Sequence, residues 1–423
     1  MHPLDRRGFL GASLAALAAP ALAAEPARLP VAPPPRVVPQ PGIDSLFLTY
    51  RTDPTTSVVV QWVGHSGPAP GVRHGRLTAF SWDGTTPAVT RPFGDSPWLV
   101  YRAELTGLTP GTEYCFRVDG HARVYRFRTM PAKATDTFTF VSGGDCGVNA
   151  HAVANNILAA KQEPHFALIA GDLGYDNGTS ARTALAFLKN YGQHMVDPQG
   201  RLIPLVTCLG NHEVKGGYAA KSRAAATYYF PLFDVLYPET SYAALDFGDY
   251  LSLVLLDTGH VSPIGGAQTD WLGRALAERQ DRPHLIVANH VPAYPSYRAP
   301  TGSGITGLFG TGDGNRRNWC PLFERHNVDV VLEHHDHTFK RTHPLKDGRP
   351  DKNGVIYLGD GSWGMLRTPN APEKRPYLAT VGRAYHVSLH RLEGDHRFHV
   401  ALDESGKVAD VTATYGKRPA RRG

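Results

Sequence analysis

Seven side chains of types that bind metal ions stand in five short motifs between residues 143 and 337. The motifs are GGDCG at 143–147, GDLGY at 171–175, GNHE at 210–213, ANHVPAY at 288–294 and HHDH at 334–337. The candidate ligands in them are Asp145, Asp172, Tyr175, Asn211, His290, His335 and His337. Carboxylate, phenolate, amide and imidazole donors together favour iron, zinc or manganese over copper or calcium. Seven donors exceed the four that a tetrahedral zinc takes, so the set predicts two metals sharing one carboxylate.

Each motif taken alone has a simpler explanation. A Gly-Asp pair after a strand is usually a turn or a helix N-cap, and Asn211 alone would be a turn residue. His290 alone would be a hydrogen-bonded core histidine. His335 and His337 form a stronger signal, because residues two apart in an extended segment point to the same side. The order of all five motifs favours a joint metal site over five separate explanations.

The apolar runs before the motifs predict how the ligands come together. FTFVSG, HFALIA, LIPLVTCL, HLIVA and VDVVL are short and β-rich, which is typical of strands buried on both faces. Open α/β sheets place their sites at the carboxyl ends of their strands. We therefore expect the ligands to converge at strand ends of a single sheet.

This motif order resembles the calcineurin-like metallophosphoesterases over nearly the whole chain after its first residues. The tyrosine four places after Gly171 resembles the purple acid phosphatase branch of that family. The resemblance implies hydrolysis of phosphate monoesters by a metal-bound hydroxide. It assigns Asp145, Asp172, Tyr175 and His337 to a ferric ion, and Asp172, Asn211, His290 and His335 to a divalent metal, which would be zinc, iron or manganese. Asp172 would bridge the two ions.

The resemblance also implies a role for His212, next to Asn211. Its counterpart in the family binds phosphate or protonates the leaving group. A histidine that only pairs with Glu213 is the alternative. The chain departs from the family where Glu333 and His334 stand in place of a glycine and Asp336 separates the two histidines. Since glycine tolerates backbone conformations that histidine resists, we expect a reshaped loop there, and we retain the histidines at 335 and 337 as ligands.

The segment after His290 is rich in glycine, serine and proline and carries Arg298, Arg316 and Arg317. Such a loop between two ligand-bearing strands is predicted to face the substrate, and a guanidinium in it could bind phosphate with two hydrogen bonds. A solvated connection is the alternative for each arginine. No further histidine follows shortly after His290, so substrate recognition is expected to differ from that of the family.

The first residues predict export. Residues 1–23 contain Arg6 and Arg7, an alanine- and leucine-rich run and a small-residue site ending at Ala23, which resembles a twin-arginine signal. The run is short and alanine-rich for a membrane span. A proline-rich linker at 24–43 follows, which must be extended. We therefore expect a periplasmic or secreted protein.

Two domains and a tail are predicted after the linker. Short alternating runs at 44–131 indicate a small antiparallel β-sandwich with Trp62 in its core, and the segment around Tyr114 resembles the tyrosine corner of fibronectin type III domains. From 134 to 412 strands alternate with helices. Further strands, among them AYHVSLHRL and RFHVAL, suggest a second sheet, so this domain is expected to be a four-layer α/β/β/α sandwich, an α/β fold. The basic residues 413–423 are expected to be disordered.

Bulk composition excludes few functions. A net charge of +6 suits an anionic, small-molecule phosphoester substrate, but no basic stripe with interleaved aromatic residues indicates a nucleic-acid module. The four cysteines could pair after export or remain buried thiols. Two other functions stay open: a phosphodiesterase that acts on nucleotides or lipid head groups with the same metals, and a binding or adhesion protein with a vestigial site. The sequence does not reveal the oligomeric state.

Overall fold

The computed structural model describes residues 42–65, 67, 69–78, 82–134, 138–218, 222–301 and 310–416. The predicted export signal, all but the last two residues of the predicted linker, and residues 417–423 lie outside these ranges. None of the described helices is long and apolar enough to cross a membrane.

The N-terminal region consists of two antiparallel four-stranded sheets in its described part. Their strands are β1 (Ser45–Thr49), β2 (Val58–His65), β3 (Gly71–Arg76), β4 (Gly84–Pro87), β5 (Val89–Pro92), β6 (Trp98–Leu105), β7 (Glu113–Val118) and β8 (Tyr125–Arg128). One sheet has the order β1-β2-β6-β5 and the other β4-β3-β7-β8. Buried and half-buried residues alternate along β7 and β8, as expected of strands with one face on a core.

Two aromatic residues fix the interior of this region. Trp62 is 1% exposed and its ring stacks on Tyr101 at 5.2 Å. The hydroxyl oxygen of Tyr114 accepts a hydrogen bond of 2.9 Å from the backbone N–H of Thr109, five residues upstream. This bond is the one that a tyrosine corner makes, and it holds the loop before β7 against the sheet.

The second region contains two larger sheets and a two-stranded ribbon, together with short helices. Its strands are β9 (Phe138–Gly143), β10 (Ala167–Ala170), β11 (Leu205–Cys208), β12 (Ala243–Phe247), β13 (Leu251–Leu256), β14 (His284–Asn289), β15 (Val330–Glu333), β16 (Phe339–Thr342), β17 (Leu345–Lys346), β18 (Arg349–Pro350), β19 (Ile356–Asp360), β20 (Leu378–Gly382), β21 (His386–Glu393), β22 (His396–Asp403) and β23 (Val408–Tyr415). Its helices are α1 (Ala150–Lys161), α2 (Ala181–His194), α3 (Phe230–Phe233), α4 (Ala267–Arg279), α5 (Asp313–Asn318) and α6 (Cys320–Arg325), with 3-10 turns at Asn211–Glu213, Arg223–Ala225 and Pro372–Lys374.

The strands that precede the candidate ligands belong to two sheets, so the expectation of a single sheet is wrong. One sheet has the order β11-β10-β9-β21-β22-β23 and the other β12-β13-β14-β15-β19-β16-β20. Strands β9, β10 and β11 are parallel neighbours, as are β13, β14 and β15. A buried apolar run looks the same in either sheet, because its composition records burial and not its hydrogen-bonded partner.

The C-terminal strands also differ from the expectation. The runs AYHVSLHRL and RFHVAL, which were expected in the second sheet, form β21 and β22 beside β9. The next strand, β23, continues to Tyr415, three residues past the predicted end of the domain at 412. Its backbone pairs with β22 although none of its residues is fully buried. Backbone pairing rather than side-chain burial therefore holds this edge strand.

The two sheets face each other, with helices outside them. Phe247 of β12 lies 4.9 Å from Phe166, the residue before β10, and buried Arg397 of β22 pairs with Asp329, the residue before β15, at 3.0 Å. On the outer side of the seven-stranded sheet, Leu272 and Leu276 of α4 join one apolar core with β13, β14 and β15. On the other side α1 lies against β21 and α2 against α1. The order of layers is thus helix, sheet, sheet, helix.

The N-terminal region packs against the helices of the second region. Phe47 of β1 contacts Phe233 of α3 with ring centroids 5.8 Å apart. Gln61 donates a hydrogen bond of 2.7 Å to the carbonyl of Leu232, and Arg102 forms an ion pair of 2.8 Å with Asp234. The two regions therefore share a core with buried polar contacts.

Candidate metal centre

The seven candidate ligands meet where the ends of the two sheets adjoin. Four of them have positive backbone φ angles: 57° at Asp145, 54° at Asp172, 71° at His335 and 58° at His337. Residues other than glycine adopt this conformation at a cost of about 1–3 kcal/mol and are held there by their surroundings. Such strain concentrates at functional sites, and here it turns four side chains from successive strand ends toward one point.

The first group of donors joins Asp145, Tyr175 and His337. The Tyr175 hydroxyl lies 3.1 Å from Asp145 Oδ1 and 3.2 Å from His337 Nε2. The distance from His337 Nε2 to Asp145 Oδ1 is 3.0 Å. The other oxygen of Asp145 accepts the backbone N–H of His335 at 2.7 Å, which ties the loop after β9 to the loop after β15.

The second group joins Asp172, Asn211, His290 and His335. His290 Nε2 lies 3.2 Å from Asp172 Oδ2, 3.2 Å from Asn211 Oδ1 and 3.2 Å from His335 Nδ1. His290 Nδ1 contacts the carbonyl oxygen of Ala170 at 3.0 Å, so Nε2 is the nitrogen turned to the site. One donor atom from each of Asp145, Asp172, His290 and His335 lies within 4.8 Å of the others, and all four residues are buried.

The donor set fits metal ions better than it fits a hydrogen-bonded core. Asp172 Oδ1 accepts the backbone N–H of His212 at 2.8 Å. Its Oδ2 is buried and has no hydrogen-bond partner among the described residues, although it lies near His290. A buried carboxylate oxygen without a donor costs free energy unless a cation satisfies it. A carboxylate oxygen of Asp172 also lies within 4.8 Å of a donor atom of Asp145, so Asp172 is close to both groups of donors.

The pKa values of Asp145 and His290 show how strongly the charged groups of the site interact. Burial alone would raise the pKa of Asp145, but His337, His290 and His335 lower it far below its usual value. Burial alone would lower the pKa of His290, but Asp172 and then Asp145 raise it to about 9. At both residues the charges of the neighbouring groups thus outweigh the effect of burial on the pKa.

Glu213 holds the two loops that carry Asp172 and Asn211. Its carboxylate accepts the backbone N–H groups of Asp172 at 2.9 Å, Leu173 at 2.8 Å and Gly210 at 2.8 Å. Burial, followed by the charge of Asp172, raises the pKa of Glu213 to about 8. The sequence suggested Glu213 only as a partner of His212, whereas the structure uses it to fix backbone.

His212 lies beside the site with its ring on Tyr175, at a centroid distance of 4.2 Å. Its Nε2 is 3.9 Å from Asp172 Oδ2, and its Nδ1 is buried with no hydrogen-bond partner in the described part of the chain. Burial lowers its pKa, against the opposing effect of Asp172. The imidazole thus borders the centre and is not held by Glu213.

The residues that depart from the family pattern anchor the surrounding loops. His334 is buried without a positive φ and its Nδ1 contacts the Asn289 carbonyl oxygen at 3.1 Å. Its ring fits because Gly144 lies against it: a Cβ there would be 2.7 Å from His334 Cδ2. The loop that was expected to be reshaped therefore accommodates His334 by packing its ring against Gly144 of a second loop. His334 points away from the donor atoms of His335 and His337.

Glu333 and Asp336 hold the segment that follows His290. The Glu333 carboxylate accepts the Ala293 N–H at 2.6 Å and pairs with buried Lys340 at 2.6 Å. Asp336 accepts the backbone N–H of Tyr297 at 2.7 Å. Within the motif at 333–337, Glu333, His334 and Asp336 therefore anchor loops, whereas His335 and His337 face the centre.

The three arginines of this segment occupy different surroundings. Arg316 donates to the carbonyl oxygens of Ala293, Pro300 and Thr311 and pairs with Asp313, so its guanidinium is used within the loop. Arg298 donates to the carbonyl of His335 and to Asp336. Arg298 and Arg317 line an open pocket of about 1070 Å³, which also contacts Tyr218 and His335. Of the three arginines, Arg298 and Arg317 therefore lie at the pocket beside His335, and Arg316 does not line it.

Sequence reasoning missed Tyr218 and His260. The Tyr218 hydroxyl lies 2.8 Å from His335 Nε2, and His260 is buried with its ring 5.9 Å from that of His290. Tyr218 follows Asn211 by seven residues and stands after two glycines, a spacing that offered a weak signal. His260 follows β13 and belongs to none of the five motifs, so nothing in the sequence marked it as part of the site.

All four cysteines lie in described ranges and none forms a disulfide. Cys146, Cys208 and Cys320 are buried, and burial raises the pKa of each thiol. Buried thiols of this kind are poor nucleophiles. The cysteines beside the ligand strands therefore contribute packing.

Comparisons with known proteins show which family the chain resembles in sequence and in fold. Residues 138–339 match the family of calcineurin-like phosphoesterases, and residues 43–140 match the purple acid phosphatase N-terminal domain. The chain is 23% identical over 385 residues to purple acid phosphatase 21 of Arabidopsis thaliana, with 87% of this chain and 82% of the relative covered. It is 25% identical to human acid phosphatase type 7, with 90% of each chain covered. A purple acid phosphatase from yellow lupin seeds shares the fold, with a TM-score of 0.71 at 18% identity over 89% of this chain and 75% of that one.

Proposed function

Because the chain is a purple acid phosphatase-like member of the calcineurin-like metallophosphoesterases, and hence a hydrolase, we propose that it hydrolyses phosphate monoesters at two metal ions. The observation that carries the proposal is the convergence of buried carboxylate and imidazole donors within 4.8 Å of one another. Two cations in such a site, when bound, neutralise the phosphoryl oxygens and lower the pKa of water so that hydroxide is available.

We assign the ligands by the two groups of donors. Asp145, Tyr175 and His337 would hold a ferric ion, since a phenolate and a carboxylate are hard anionic donors. Asn211, His290 and His335 would hold a divalent metal, which we expect to be zinc, iron or manganese. Asp172 would bridge them. The short contacts between donors of each group support this division.

His212 is proposed to bind the phosphate or to protonate the leaving group. Support comes from its place next to Asn211, from its Nε2 lying 3.9 Å from Asp172 Oδ2, and from its Nδ1 lacking a partner among the described residues. Arg298 and Arg317 line the adjoining pocket, where a guanidinium would attract an anionic ester. Neither serine nor cysteine is required as a nucleophile.

The remaining regions have proposed roles outside the chemistry. Residues 1–23 would direct export by the twin-arginine route, so the enzyme would act in the periplasm or outside the cell. Residues 44–131 would form a fibronectin type III-like domain that supports the helices behind the centre. The contacts of Gln61 and Arg102 with Leu232 and Asp234 favour that supporting role.

The test is to compare turnover of an aryl phosphate with turnover of its bis-aryl diester by the isolated, metal-analysed protein. We expect the monoester to be hydrolysed at least ten times faster in kcat/KM. Faster hydrolysis of the diester would identify a phosphodiesterase with the same metals. A protein that contains substoichiometric metal and hydrolyses neither substrate would support the binding or adhesion function instead.

A His212→Gln variant tests whether the measured activity comes from this site or from a contaminating phosphatase. General acid catalysis is worth roughly 100- to 10,000-fold in rate, so kcat should fall steeply while the metal content is retained. The matched control is His343→Gln, since His343 is exposed and contacts Tyr377 through its backbone N–H. Equal activity of both variants would contradict the role of His212.

A further inference from the structure

Tyr218 reaches from the surface into the candidate centre. Its side chain belongs to a residue that is 44% exposed, yet its hydroxyl lies 2.8 Å from His335 Nε2 and 3.2 Å from Asn211 Oδ1. We propose that Tyr218 is a positioning residue that holds both of these ligands in place for the divalent metal. The proposal rests on the proposed function, because it concerns ligands of the same site.

The hydrogen-bond directions are consistent with this role. His335 Nδ1 faces His290 Nε2 at 3.2 Å, so Nδ1 is the nitrogen turned to the other donors. A neutral imidazole that binds a metal through Nδ1 carries its proton on Nε2. That Nε2–H donates to the Tyr218 oxygen, and the Tyr218 hydroxyl donates its own proton to Asn211 Oδ1.

One phenol thus sets two features of the metal site. Accepting from Nε2 fixes the tautomer of His335, and donating to Oδ1 fixes which end of the Asn211 amide faces the metal. The amide oxygen has two lone pairs, so it can accept this hydrogen bond and still bind a cation. Partners of this kind on the outer side of ligands typically change metal affinity by roughly 10- to 100-fold.

Tyr218 is itself held by a chain of hydrogen bonds that starts beside His290. The Val291 N–H donates to Thr258 Oγ1 at 3.2 Å, and the Thr258 hydroxyl contacts His260 Nε2 at 2.9 Å. His260 Nδ1 lies 2.8 Å from the carbonyl oxygen of Gly217, the residue before Tyr218. A carbonyl only accepts, so Nδ1 carries the proton and Nε2 accepts from Thr258.

The Tyr218 ring also borders the open pocket. Tyr218 lines that pocket together with Arg298 and His335, and its ring lies 5.2 Å from that of His260. The ring therefore forms part of the pocket wall beside His335. Removing only the hydroxyl leaves this wall in place, which makes phenylalanine the informative substitution.

The experiment measures binding of Zn²⁺ to the full-length, iron-containing protein from which the divalent metal has been removed. In Tyr218→Phe we expect the dissociation constant for Zn²⁺ to rise at least tenfold, with iron content and visible colour unchanged. Asn211→Ala, which loses a ligand outright, serves as the reference for a damaged divalent site. Tyr415→Phe is the matched control, since Tyr415 is 45% exposed on β23.

Two results would overturn the proposal. A Tyr218→Phe protein that binds Zn²⁺ like the parent, with or without an increased KM, would show that the hydroxyl does not position the ligands. Loss of iron and colour together with Zn²⁺ would show a general defect of the centre. Failure of the proposed function would give a different result, because the parent protein itself would then bind no second metal. Zn²⁺ binding to the parent is therefore measured before any variant.

Discussion

The carboxylate of Glu213 lies directly behind Asp172 and accepts its backbone N–H at 2.9 Å. Asp172 has a φ angle of 54°, and a residue in this conformation must be held by neighbouring bonds. Glu213 also accepts the N–H groups of Leu173 and Gly210, so one buried side chain satisfies three backbone donors from two loops.

Replacing Glu213 with alanine should therefore destabilise the fold. Three buried N–H groups lose their acceptor, and even with partial access of water we expect a loss of roughly 2–4 kcal/mol in the free energy of unfolding. Urea unfolding followed by circular dichroism measures it. Glu278→Ala is the control, because the Glu278 side chain is 70% exposed, and its effect should stay within about 0.5 kcal/mol. Equal stability of the two variants would contradict the anchoring role.

Replacing Tyr175 with phenylalanine should remove the visible colour of the metal-loaded protein. On the proposed assignment the colour arises from phenolate bound to ferric iron, and only the hydroxyl of Tyr175 is lost. The ring remains packed against His212, so the unfolding midpoint should change little. A visible spectrum together with iron analysis tests this.

The control for colour is Tyr297→Phe, since Tyr297 is 43% exposed and only its backbone N–H contacts Asp336. That variant should keep its absorption band. A coloured Tyr175→Phe protein with full iron content would refute the assignment of the phenolate.

Replacing Asp234 with alanine should weaken the contact between the N-terminal region and the helices. Asp234 pairs with Arg102 at 2.8 Å and also with Arg91. Arg102 is buried, and burial, followed by the charge of Arg91, lowers its pKa to about 9. Without Asp234 two arginines face each other unpaired. Because Asp234 is 21% exposed, we expect a moderate loss of about 2 kcal/mol.

Thermal unfolding of the metal-loaded protein measures this loss, with Glu239→Ala, an exposed position, as the control. Metal content should be unchanged, since Asp234 contacts none of the proposed ligands. A variant as stable as the parent would show that the ion pairs contribute nothing to the association of the two regions.

His165 should make the protein less stable as the pH falls. Burial, followed by the charge of Arg128, lowers its pKa well below the usual value of about 6.5. The folded state keeps His165 neutral, whereas the unfolded state takes up a proton below about pH 6.5. The unfolded state then binds more protons, so the stability from this group is present above that pH and is lost on acidification.

Unfolding temperatures at pH 7 and pH 5 should thus differ less in His165→Asn than in the parent. Asparagine retains an acceptor near the position of Nδ1, which contacts Arg128 at 3.2 Å, and it does not titrate. His343→Asn, at an exposed position, should keep the slope of the parent. An unchanged slope in His165→Asn would mean that His165 is not the group that titrates.

From the sequence alone, the position of each candidate ligand after an apolar run was easier to identify than the sheet to which that run belongs. The end of each apolar run marked the candidate ligands, because a strand end and a metal-binding residue type are both local features. The pairing of strands is not local. For this reason β21 was expected in the second sheet and instead lies beside β9 in the first.

The supports of the site were equally difficult to predict. Tyr218, His260 and Glu213 act through hydrogen bonds to residues that are distant in sequence or to backbone atoms, and no residue type alone indicates such a role. His334 fits because Gly144 leaves space for its ring, and that pair is separated by 190 positions. Residue types predicted which side chains could bind a metal. Only the packed structure identified the residues that hold those side chains in place.

Each proposed metal takes ligands from both sheets. Asp145 and Tyr175 follow strands of the six-stranded sheet, whereas His337 follows β15 of the other, and the second group is divided in the same way. On the proposed assignment, loading the ions would join the two halves of the catalytic region, whose interface otherwise depends on side-chain packing. The ions would then be part of the folding thermodynamics as well as of the chemistry, and chelation would lower the free energy of unfolding.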